Sequence, residues 1–116
     1  MTTVQQKQVN RRRSLRRRAR QSVQVECRNG AYGLGPNLSQ RVLDLSDTGV
    51  RLVVQQALAC ADEVEIIVSA YGIAKPIKRL GNVRWQVKLE GDDFCVGIEF
   101  QKRLAYRDWQ NLISAY

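Results

Sequence analysis

The chain contains no histidine. That excludes imidazole bases, Ser-His triads and His-ligated metals together. Cysteine is scarce and odd in number. Cys27, Cys60 and Cys95 stand far apart, in no metal-ligand spacing. They read as reduced, mostly buried thiols of a cytoplasmic protein. No apolar run approaches the roughly 20 residues that cross a bilayer. The polar N-terminus has no apolar stretch after its charges, so no signal peptide is expected. No Gly-rich loop precedes a Lys-Ser/Thr pair. Asp92 and Asp93 adjoin in a turn instead of facing each other across a cleft. No catalysis, cofactor or metal is expected.

Acid is missing where base is dense. Of the 19 basic side chains, Lys7, Arg11, Arg12, Arg13, Arg16, Arg17, Arg18 and Arg20 all precede residue 21, and none of the 11 acids does. The other 96 residues are therefore neutral overall, and the net +8 belongs to a cationic arm that seeks an anion. The 116 residues suit one domain, which buries about 60–70% of its unfolded surface.

Residues 1–10, polar and Gln-rich, are expected to be disordered. Residues 11–20 form the arm, kept mobile by like-charge repulsion. Period-two patterning follows over residues 22–101. Val23, Val25 and Cys27 alternate with Gln24, Glu26 and Arg28. Residues 29–37 hold three glycines and Pro36 and read as a loop. Leu43 and Leu45 alternate with Asp44 and Ser46, so the polar pair shares the outward face. Asp47-Thr48-Gly49 reads as a turn in which Gly49 can take φ > 0.

Val50, Leu52 and Val54 continue, then Val64, Ile66 and Val68. A turn is expected near Tyr71-Gly72. Val83, Trp85, Val87 and Leu89 are assigned to one core face. Gly91-Asp92-Asp93 turns the chain into Phe94, Val96, Ile98 and Phe100. Ala105, Trp109, Leu112, Ile113 and Tyr116 then recur at helical spacing, predicting an amphipathic helix over 103–116. The expectation is an all-β, six-stranded antiparallel barrel, with a C-terminal helix covering an open end or edge.

Taken singly, the arm reads as a nonspecific nucleic-acid or membrane tether, and Asp44 to Gly49 as a capped turn. Together they carry more. Arg12 and Arg16 give R-x-x-x-R. About thirty residues later Asp44, Ser46 and Gly49 give D-x-S-x-x-G. The pairing resembles the PilZ domain family over residues 11–116, with Leu80 to Val83, Val96 to Phe100 and the closing helix in support. Arg13/Arg17 and Arg16/Arg20 also fit R-x-x-x-R. Counting back from Val23 favours Arg12/Arg16.

The resemblance implies a six-stranded barrel that binds cyclic di-GMP without catalysis. Arg12 and Arg16 would meet guanine edges and phosphates, and Asp44 and Ser46 would bond a base. Gly49 would admit the backbone. Arg11 matches a residue that in the family favours two intercalated ligand molecules. A downstream protein or attached domain would receive the signal, in motility or exopolysaccharide synthesis. Membrane association would come only through a larger parent protein or complex.

The chemistry suits that ligand. A guanidinium fork matches guanine N7 and O6, and stacks on the base. A carboxylate accepts from guanine N1–H and N2–H. Micromolar affinity needs about 8 kcal/mol. Each bidentate Arg–guanine contact supplies roughly 1–3 kcal/mol. Ordering an arm costs roughly 2–5 kcal/mol. The alternative is a nucleic-acid-binding barrel. The eight aromatics, most assigned to the core face or helix, argue against it, because such barrels display rings outward. Trp85 is the exception considered, as a ring that stacks on guanine at the rim.

Overall fold

A computed structural model describes residues 17–20, 22–30 and 35–113. Six antiparallel strands form one nearly closed sheet: β1 (Gln24–Asn29), β2 (Ser39–Leu45), β3 (Gly49–Val54), β4 (Glu63–Ser69), β5 (Ile77–Lys88) and β6 (Phe94–Phe100). Their spatial order is β1-β4-β5-β6-β3-β2. Among the described residues one helix, α1 (Tyr106–Leu112), follows.

Where one face meets the core and the other meets water, alternation and structure agree. Val25 and Cys27, Val50, Leu52 and Val54, and Val64, Ile66 and Val68 all fill the interior, as do Val96, Ile98 and Phe100. Gly72 and Gly91 turn the chain at φ +90 and +78, a backbone region that costs an L-side chain about 1–2 kcal/mol.

Three bulges shift the phase. Near the start of β2, Ser39 pairs Val54 but Arg41 pairs Val53, leaving Gln40 extra. Farther along β2, Val42 pairs Leu52 but Asp44 pairs Arg51, leaving Leu43 extra. In β5, Val83 pairs Ile98 but Trp85 pairs Gly97, leaving Arg84 extra. An extra residue moves everything beyond it to the opposite face. The expected common core face of Val83, Trp85, Val87 and Leu89 is therefore wrong. Val83 is interior, whereas Trp85 lies on the outer face and Val87 is 55% exposed. Leu43 is only half-buried.

Among the described residues the helix is also shorter than predicted, and Tyr116 lies outside them. The helix spans seven residues, and Ala105 is its exposed N-cap. Leu104, Trp109 and Leu112 do the packing. The Trp109 indole donates to the Leu45 carbonyl at 3.5 Å, so the helix closes the barrel where β2 ends. Cys27 is buried, but Cys60 is exposed and Cys95 half-buried, against the expectation of mostly buried thiols.

Candidate ligand-binding site

The arm and the D-x-S-x-x-G strand meet. Arg17 N–H donates to the Leu45 carbonyl at 3.0 Å, and Leu45 N–H donates to the Arg17 carbonyl at 2.9 Å. Two residues on, Ala19 bridges Ile113, and Arg20 N–H donates to the Leu112 carbonyl at 2.9 Å. The end of the arm is thus bonded to strand and helix instead of hanging free. The Arg20 guanidinium donates to the Asn111 carbonyl at 2.6 Å. That engagement turns Arg20 toward the helix. Arg11, Arg12 and Arg16, and the expected disorder of residues 1–10, lie outside the described residues.

The bulge at Leu43 sets Asp44 opposite Arg51 on the outer face. The expected outward direction holds, but the side chain is covered, with Asp44 only 8% exposed. Arg51 covers it. Its Nε donates to Asp44 Oδ2 at 2.6 Å, and its Nη2 donates to the same oxygen. That bond raises the Arg51 pKa further. A charge-assisted fork of this kind fixes orientation as well as charge.

Ser46 departs from the expected shared face. The strand ends at Leu45, and the buried hydroxyl turns back on its own loop. It accepts from Gly49 N–H at 3.1 Å and Thr48 N–H at 3.2 Å. Gly49 has no positive φ. It opens β3, and a Cβ there would lie 2.4 Å from the Ile98 carbonyl oxygen. Its smallness serves the approach of β3 to β6. Asp47 is bound by Arg103 Nε at 3.0 Å, tying the turn to the segment before α1.

The register continues the row outward. Arg51 pairs Gly97, and Gly97 pairs Trp85. The Trp85 ring lies over Gly97, where a Cβ would stand 2.3 Å from its Cε2 and Nε1. Carboxylate, guanidinium and indole therefore lie side by side across four strands, which are spaced about 4.8 Å apart. Sequence reasoning missed Arg51 and assigned Trp85 inward. Both had a signal. Arg51 alternates with apolar Val50 and Leu52, and a glycine inside an apolar strand marks close approach by a large neighbour.

The PilZ domain family model matches residues 10–116. The chain belongs to the PilZ domain family. Among solved structures, the PilZ chain resembles MrkH from K. pneumonia, described as a complex with c-di-GMP, at TM-score 0.58 and 19% identity. The likeness covers 87% of this chain and 48% of that one, so the chain spans about half of MrkH's length. No curated protein sequence is matched. No helix among the described residues is long and apolar enough to cross a membrane.

Proposed function

We propose that this PilZ domain is a receptor for cyclic di-GMP, held between the arginines of the arm and the outer-face row Asp44, Arg51 and Trp85. The carrying observation is the paired backbone junction of Arg17 with Leu45, next to Asp44. Arg16 is one peptide bond from that junction, about 3.8 Å between Cα atoms. Arg12 is five residues away, at most about 18 Å along an extended chain. Both are therefore within chain reach of the row. MrkH, a protein of this fold described in complex with c-di-GMP, supports the ligand.

In this reading Arg12 and Arg16 take guanine O6 and N7 or phosphate, with Arg11 beside them for a second ligand molecule. Asp44 faces the donor edge of a guanine, and Arg51 holds its carboxylate in place. The indole of Trp85 offers a stacking face. Ser46 and Gly49 act indirectly, by shaping the turn that follows Asp44. Ligand binding pins residues 11–16 and changes the surface shown to a partner or attached domain.

Trp85 on the outer face lends something to the nucleic-acid alternative, since the argument from inward aromatics no longer covers that ring. Asp44 and Glu99 share that outer face, however, and pair with Arg51 and Arg84, so the four groups together offer a polyanion no net positive charge. Anisotropy of fluorescent cyclic di-GMP separates the readings. Saturable binding that unlabelled cyclic di-GMP displaces, and cyclic di-AMP displaces much more weakly, supports the receptor. Displacement by any polynucleotide with a steep salt slope would favour the alternative.

A further inference from the structure

The barrel is open along one seam. β1 and β2 are the two ends of the sheet order, and among the described residues they share no ladder. At one end Leu38 N–H donates to the Cys27 carbonyl at 2.8 Å; at the other, Arg17 bridges Leu45. Between those closures β1 pairs on its far side with β4, and β2 with β3. The facing edges of residues 24–26 and 39–43 have no backbone partner among the described residues.

A cavity of about 770 Å³ occupies the seam, lined by Arg18, Arg20, Val25, Arg28, Arg41 and Val42 among others. It lies on the opposite edge of β2 from the ladder that carries Asp44 and Arg51. A strand inside a sheet takes up about 4.8 Å by 10 Å in section and 3.3 Å in length per residue, or roughly 160 Å³. The cavity therefore holds about five strand residues. The unpaired run of β2 is the same length.

We propose that this seam is a strand-addition site for an extended, acidic segment of a partner protein, alternating acidic with β-branched residues. The side chains select that pattern. Val25 and Val42 give the seam an apolar wall, which suits the inward positions of the added strand. The rim is cationic. Arg28 is engaged with Glu26 at 2.5 Å and with the Gly35 carbonyl at 2.6 Å. Arg41 is exposed and, like Arg18, in no ion pair among the described residues. The acidic positions of the segment meet these two. A small phosphorylated molecule would satisfy the arginines but leave both backbone edges and the valines uncovered. Main-chain bonding supplies affinity and alternate side chains supply specificity, as in other strand additions.

The test is an NMR titration of the full chain with an acetylated six-residue peptide of alternating glutamate and valine. Saturable amide shifts concentrated at residues 24–26 and 39–43, with slowed hydrogen exchange there, are expected. Arg41→Glu weakens binding at least tenfold. Its exposed side chain lets the variant keep the wild-type melting temperature and cyclic di-GMP affinity, so ligand binding is read separately. Equal binding of a lysine–valine peptide, shifts mapping elsewhere, or no shift at millimolar peptide would each overturn the proposal. Full displacement of the peptide by inorganic pyrophosphate would assign the seam to a small anion instead.

Discussion

Replacing Gly49 by alanine separates packing from ligand contact within the D-x-S-x-x-G motif. The new Cβ would stand 2.4 Å from the Ile98 carbonyl oxygen and 3.4 Å from the Glu99 Cα. Carbon and carbonyl oxygen ordinarily stand about 3.3–3.6 Å apart between strands. The strands must therefore part by nearly 1 Å. The obstacle is backbone, and β3 is itself held on its other side by β2. Overpacking of this kind costs about 1–3 kcal/mol, and alanine regains about 0.4–1 kcal/mol by stiffening the unfolded chain.

The net loss is about 1–2 kcal/mol, which lowers the melting temperature of a domain this size by roughly 5–10 °C. Thermal unfolding by circular dichroism reads it. Gly35→Ala is the control, because its Cβ would meet only ordinary contacts of 3.5 and 3.7 Å; it should melt within about 3 °C of wild type. Cyclic di-GMP affinity of the folded Gly49→Ala protein should stay within about threefold of wild type, since the loss falls on packing. Unchanged melting with abolished ligand binding would refute the steric reasoning and return Gly49 to direct ligand contact.

Arg51→Met leaves the nearly covered Asp44 carboxylate without its fork, which costs about 1.5–2 kcal/mol because water reaches part of the site; urea unfolding measures it, and ligand affinity should fall about tenfold. Burial pushes the Cys27 thiol up to about 12. The folded state keeps that proton while the unfolded state, titrating near 9.0, releases it. Stability is fully present below pH ~9 and falls by about 1.4 kcal/mol per pH unit up to ~12. Cys27→Ala should lack that slope once the shared alkaline titrations are subtracted. A thiol reagent at pH 8 should label exposed Cys60 in the native state and leave Cys27 intact, read by mass spectrometry. Trp85 fluorescence should change on cyclic di-GMP addition in step with binding, and Trp85→Leu should remove the signal while weakening affinity.

Much of the fold was legible because a half-buried strand writes its two faces into alternate residues. Val64, Ile66 and Val68 could face only inward, and Gly91 between two such runs could only turn. The bulges at Leu43 and Arg84 were not legible. A single extra residue leaves the alternation on each side intact and changes only their relative phase. That is why Trp85 was assigned inward, and why Asp44 could be placed on the outer face without its cover being foreseen. Periodicity likewise caught Trp109 and Leu112 but not the helix start, where Leu104 packs from an extended segment. Arg51 was overlooked because the motif drew notice to acids and arm arginines. Its partner lay seven residues away in sequence and directly across the hairpin in space.

The most direct test is isothermal titration of cyclic di-GMP into wild type, Arg16→Ala and Asp44→Ala, each first shown to be folded. Micromolar or tighter binding to wild type, at one or two molecules per chain, with at least tenfold loss in each variant, is the predicted result. Heat identical to buffer dilution for folded wild-type protein, or full affinity in both variants, would contradict it.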